Sequence, residues 1–391
     1  MNKAIFMMAA AAITLASCSS DETTDVAKSS QISFTAKVGK NSRGAETTTA
    51  NLDKMWVTGY DITDASAPTE YFVDQVFNKT TDAGNSDFIP TRPWYWQSGK
   101  SYKFIGIHPA KTDWKGTLNI AANGVTYTAQ IPTAIADQQD LIIDAVKGQA
   151  DSDASTGVNM EFQHILSQLQ FKVKNNNQHL TYHIAGIRIV NADSKGSFSF
   201  NTETRKGTWE EMTEGKVTYE MLFKDDPIEL VTTGTKEATL TPANSGAMIV
   251  PQKLTPWNGA VVSQAAQYDG GAYIALLINV KYTSDGKYMY PSKASTDKDY
   301  GWVAVPVPAA AGNSKAVWEM GNKYIYTLDL TDGCGKVDPV NPNPEGGVVD
   351  PGGKDPEPGA NIFGKSIKFS VTVKDWVDSF LNNANGGNIN M

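Results

Sequence analysis

Two segments near opposite ends of this chain carry the same alternating ladder: residues 31–38, QISFTAKV, and residues 366–373, SIKFSVTV. With a side-chain period of two, Ile32, Phe34, Ala36 and Val38 share one face and Ser33, Thr35 and Lys37 the other, as a half-buried strand requires. Ile367, Phe369, Val371 and Val373 repeat the pattern near the end. Two strands with one ladder fit one groove, the arrangement in which a chain lends a strand to its neighbour. Alternating strands are common in β-proteins, so chance similarity is the competing reading, and the surroundings of each copy weigh between them.

Between the two copies, short β-branched and aromatic runs alternate with clusters of Gly, Asp, Asn and Pro, which predicts an all-β chain. Runs at 55–60, 70–76, 102–107, 125–131 and 140–146 suit a first β-sandwich over residues 30–157. The polar stretch 151–157 marks a boundary. Runs at 162–173, 184–190, 197–200, 247–250, 273–282, 302–307 and 324–330 suit a second sandwich over 158–334, with no strand assigned within 203–236. The apolar run 272–280, AYIALLINV, is too short to span a bilayer and reads as a strand buried on both faces. A net charge of −8 with mixed signs disfavours a nucleic-acid partner.

At the start, Lys3 precedes an apolar run that closes on Leu15-Ala16-Ser17-Cys18. This resembles a bacterial lipoprotein signal over residues 1–17, and it implies Cys18 as the lipidated first residue of the mature chain, handled by lipoprotein-processing machinery and anchored in the outer membrane. A disulfide to Cys334 is the disfavoured alternative, and Cys334 is then left unpaired. Residues 18–29 form an acidic tether, read either as a surface-export signal or as an ordinary solvated leader.

Residues 335–361 contain six prolines and almost no large apolar group, so the sequence predicts an extended linker that cannot pack. It would deliver the strand at 362–377, ahead of a polar tail at 378–391, several tens of ångströms away. The strand either folds back on its own domain or is donated to another molecule; donation is the favoured reading.

Catalytic and metal chemistry find little support. The four histidines, His108, His164, His179 and His183, lack the company of a metal or nucleophile motif. Asp151, Asp153, Asp225 and Asp226 sit in polar loops. The chain is therefore expected not to be an enzyme and to need no cofactor or metal. Trp94, Tyr95 and Trp96 offer a sugar-stacking platform or, as favoured, fill the first core. On the platform reading the protein is a glycan-binding surface lipoprotein.

Four phrases taken together, 129–141 (AQIPTAIADQQDL), 162–171 (FQHILSQLQF), 248–252 (MIVPQ) and 367–376 (IKFSVTVKDW), resemble the fimbrillin family: type V pilins and related anchor and tip proteins of Gram-negative gut and oral bacteria. The resemblance implies two transthyretin-like β-sandwich domains and export as a lipoprotein. It further implies removal of the early strand by a trypsin-like protease, and refilling of its groove by a strand from another pilin subunit in a cell-surface fimbrium. Carried onto this sequence, the displaced strand bears Ile32, Phe34, Ala36 and Val38, the cut falls between Arg43 and Gly44, and the donor bears Ile367, Phe369, Val371 and Val373. An ordinary turn arginine is the competing reading of Arg43. A stalk subunit is favoured over an anchor or a tip, because the chain carries both a removable strand and a tethered one.

Overall fold

The computed structural model describes residues 31–38, 47–80, 87–210, 215–241, 246–263, 265–309, 316–375 and 388–389. Alternating segments of the first half become β1 (Phe34–Val38), β2 (Lys54–Asp61), β3 (Thr69–Lys79), β4 (Asp87–Pro90), β5 (Ser101–His108), β6 (Gly116–Ala121), β7 (Gly124–Gln130), β8 (Ile142–Gln149) and β9 (Val158–His164). Seven of these, in the order β1-β4-β3-β2-β5-β8-β9, curl into a closed barrel. The closing pair is β1 with β9, which run parallel, whereas β1 meets β4 antiparallel.

The second half supplies β10 (Ser167–Lys174), β11 (Leu180–Asp193), β12 (Lys195–Asn201), β13 (Lys206–Glu210), β14 (Lys216–Leu222), β15 (Ile228–Leu230), β16 (Glu237–Thr239), β17 (Ala247–Ile249) and β18 (Gln252–Leu254). It continues with β19 (Tyr273–Tyr282), β20 (Tyr288–Tyr290), β21 (Gly301–Pro306), β22 (Ala316–Trp318), β23 (Asn322–Asp329), β24 (Lys336–Val337), β25 (Lys368–Asp375) and β26 (Asn388–Ile389). One sheet runs β16-β10-β23-β25-β26 and another β14-β11-β19-β21-β24. Leu169, Phe171 and Leu328 from the first share a core with Ile189, Ile274, Leu276 and Val303 from the second. β19 is buried on both faces, as its unbroken apolar run predicts, because Trp257, Tyr300 and Trp302 cover the face that carries Tyr273, Ala275 and Leu277.

The structure corrects four sequence expectations. The boundary at residue 157 is too early, since β9 completes the first barrel. The run 162–173 is two strands, broken at Ile165 and Leu166, which are both buried. The halves also share a core: Ile105, Tyr127 and Ile143 join the cluster that holds Phe171 and Ile187, and the sheet β13-β12-β7-β6 takes strands from both.

The fourth correction concerns residues 335–361, which pack instead of extending. β24 pairs with β21, and Val337, Asp338, Val349 and Asp355 are buried. Polar side chains make this packing possible by satisfying turn backbone: Asp338 accepts from the N–H groups of Val340 and Asn341, and Asp355 from those of Asp350 and Ser292. The two ends of the segment also zip together, with Ile362 N donating to Gly335 O at 3.0 Å and Lys365 N to Asp332 O at 2.9 Å.

Candidate functional site

β1 occupies a slot between β4 and β9. Its ladder to β9 runs from Phe34 opposite Val158 to Val38 opposite Phe162. On the other side Phe34 lies opposite Phe88, and ahead of it Ile32 N donates to Trp94 O at 2.8 Å. The alternation places Ile32, Phe34, Ala36 and Val38 inward, with exposures of 0, 0, 6 and 1%. Burying each of the three larger side chains is worth about 1.5–3 kcal/mol.

Aromatic rings form the floor of the slot. Phe34 meets Phe77 edge-on at 4.8 Å and Phe104 at 5.1 Å between ring centroids. Trp96 packs on Tyr102 and Phe104 behind it. Gly148 permits this approach, since a Cβ there would come within 2.9 Å of the Trp96 ring. Trp96 is buried, Trp94 is half-buried and Tyr95 alone of the three is exposed, so these rings wall the slot and do not present one sugar-stacking face.

Beyond residues 39–46 the chain returns to the barrel and clasps the end of β1. The Thr49 hydroxyl accepts from Val38 N and donates to Val38 O, both at 2.8 Å. Two residues earlier, Thr47 N donates to the buried Asp140 carboxylate at 2.8 Å, and His164 Nδ1 lies 3.0 Å from the same group. Asp144, also buried, accepts from Glu161 N in β9 and is gripped by Arg205 at 2.9 and 2.8 Å. Burial pushes the Asp144 carboxyl up to about 6, against the opposite pull of Arg205. Beside it Lys103 and Lys147 both reach Glu203 and hold its carboxyl down at about 2. The hairpin of the second half is thus pinned to the barrel next to the slot. Sequence reasoning missed Thr49, Asp140, Asp144 and Arg205, whose partners lie 11 to 93 residues away with no motif to link them.

The C-terminal ladder lies on its own chain: β25 pairs antiparallel with β23, from Lys368 opposite Asp329 to Asp375 opposite Asn322. Ile367 and Val371 are buried, but Phe369 and Val373 are only half-buried, so this ladder is less covered than that of β1. Lys368 pairs with Asp332 at 2.6 Å. Cys18, Arg43 and Gly44 lie outside the described residues. Cys334 is a buried free thiol, 3.4 Å from the Tyr182 hydroxyl, and burial pushes it up to about 12. Among the described residues no group of His, Cys, Asp and Glu is arranged to hold a metal, and no helix is long and apolar enough to cross a membrane.

Among the described residues, then, β1 closes a barrel, and β25 repeats its ladder between β23 and the two-residue β26. The chain belongs to the fimbrillin-like family, which it matches over residues 41–376. Its fold is similar to a fimbrial protein of Bacteroides vulgatus, with a TM-score of 0.52 and 15% identity over 89% of this chain and 99% of that one. A candidate cell adhesion protein of Bacteroides uniformis aligns with a TM-score of 0.43 and 14% identity, over 89% and 97% of the two chains. A comparison with curated proteins returns no match. Family membership supports a role as a subunit of a cell-surface fimbrium.

Proposed function

We propose that this chain is a stalk subunit of a fimbrium, exported as a lipoprotein precursor anchored through Cys18 in the outer membrane. A trypsin-like protease cuts between Arg43 and Gly44, and subunits then join head to tail by exchange of strands. The observation that carries this reading is the pair of matched ladders: one seated in a slot it completes, the other partly covered between β23 and the two-residue β26. Backbone pairing supplies direction and register, and the alternate side chains supply specificity. Because slot and donor are different surfaces of one chain, the contact does not close on itself and a filament propagates.

The reading is tested by treating the precursor with an arginine-specific protease, sequencing the new N-terminus and running the product on a native gel. A terminus at Gly44 with a ladder of oligomers, lost on deleting residues 362–391, is expected. Cleavage that yields monomers alone overturns it.

A further inference from the structure

Ile187 and Ile189 point from β11 into the shared core, and Arg188 between them points to the other face of the sheet, where a polar cavity of about 480 Å³ lies. We propose that this cavity binds a neutral sugar through the Arg188 guanidinium and the Asp338 carboxyl, an activity separate from subunit assembly.

Strand register sets the floor. Glu220 lies opposite Arg188 and Thr218 opposite Val190 across β14 and β11, while β19 sets Ala275 and Tyr273 on their other side. The Arg188 side chain crosses β19 where that strand carries only Ala275, and its guanidinium stacks on the Trp302 ring at 3.9 Å. Glu220 accepts from its Nε, so the group is held on two sides. Among the described residues no hydrogen bond reaches its two terminal nitrogens. One wall is Thr133, whose carbonyl accepts from Glu220 N at 2.9 Å. The other is the turn 338–341, tied down by Asp338 N donating to Trp302 O at 3.1 Å and Trp302 N to Pro342 O at 2.8 Å. The segment that reads as a linker in sequence thus supplies a wall of the site.

Asp338 is 1% exposed, and its hydrogen bonds from the Tyr273 hydroxyl, Val340 N and Asn341 N all fall on Oδ1. Oδ2 accepts none among the described residues, an uncommon state for a buried carboxyl. Arg188 acts on this carboxyl through space, yet its ion pair is with Glu220. A planar donor and a planar acceptor that line one cavity without pairing suit neighbouring hydroxyls of one ring, one accepting from Arg188 and the next donating to Asp338. Thr133, Thr218 and Asn341 add polar contacts, and Val190 and Val340 give ring carbons an apolar flank. Charge narrows the class: one guanidinium beside two carboxyls leaves no excess of positive charge for an acidic sugar, a phosphate or an acidic peptide.

The test uses the full uncut chain in detergent, screened on an array of neutral and acidic glycans. Binding is then measured by saturation-transfer NMR with the array hits and with glucose, galactose, mannose and glucuronate. At least one neutral sugar is expected to bind, and glucuronate is not. Arg188→Gln should weaken that binding about tenfold or more, the effect of losing a hydrogen bond to a charged group. Should that chain not fold, Asn341→Ala, at an exposed position of the turn, decides with a several-fold loss. Failure of every neutral glycan to bind, a preference for glucuronate, or affinity unchanged in the folded variant overturns the inference. None of these results bears on strand exchange, because the cavity shares no lining residue with the slot of β1 or with β25.

Discussion

Phe34 does more than any other residue to make β1 fit, because it is the one side chain of that ladder that enters the ring cage of Phe77 and Phe104. Phe34→Ala should lower the stability of the uncut chain by about 3–5 kcal/mol in urea titration, the range for an aromatic lost from a packed core. Beside the slot, Arg205→Ala leaves Asp144 buried without its counter-charge. A loss of about 3 kcal/mol is expected, at the low end for a broken buried pair since the arginine is part exposed. His183 gives the pH response. Burial holds its pKa below the usual 6.5, with Glu229 at 3.6 Å, Asp297 at 3.7 Å and Lys281 alongside. The unfolded chain therefore takes up this proton more readily than the folded chain, so the histidine's contribution to stability should fall as pH drops below 6.5, while Asp144, raised to about 6 in the folded chain, contributes with the opposite sign. His108, lowered mainly by burial, adds in the same direction as His183. Denaturation midpoints of the chain and of His183→Gln, compared at pH 7.5 and 5.5, isolate the histidine's share: the variant is expected to gain stability relative to the parent at the lower pH.

At the scale of elements, the sequence was most legible where alternation is strict. Residues 31–38 show their four inward positions directly, and the run 273–282 coincides with β19. It was least legible where polar residues do the packing. The segment 335–361 looks incapable of a fold because its apolar content is low, yet Asp338, Asn343 and Asp355 tie its turns together by side-chain hydrogen bonds that composition does not reveal. The partners of Asp140 and Asp144 were hidden for a related reason: each contact joins residues that only the folded chain brings together, Thr47 to Asp140 across the barrel and Arg205 to Asp144 from the β12–β13 hairpin. The packed segment also changes what must move for donation. With the zip between residues 332–337 and 359–365 closed, the piece that must leave is β25 itself, and Gly364, at φ +64, lies just ahead of it. A disulfide between Ile325→Cys and Thr372→Cys, direct register partners across β23 and β25, should hold the strand at home. Cut protein carrying it is expected to give monomers under oxidising conditions and oligomers after reduction.

For the whole molecule, the continuous core through both halves matters as much as either end. Ile105 and Tyr127 pack in one cluster with Leu169 and Phe171, and β6 and β7 share a sheet with β12 and β13, so the slot of β1 and the sheet that carries β25 are built on one connected body. On the proposed assembly, a filament of such subunits would carry load through this core and through one strand per junction. The account's central claim is that this strand comes from a neighbouring copy and sits in the register of β1. In that register Ser370 replaces Thr35, which lies opposite Asn159 in β9. A full chain carrying Asn159→Cys and Ser370→Cys, cut at Arg43 and then oxidised, should form disulfide-linked oligomers that are absent from uncut protein. Complete cleavage followed by oxidation that leaves only monomers would contradict the account.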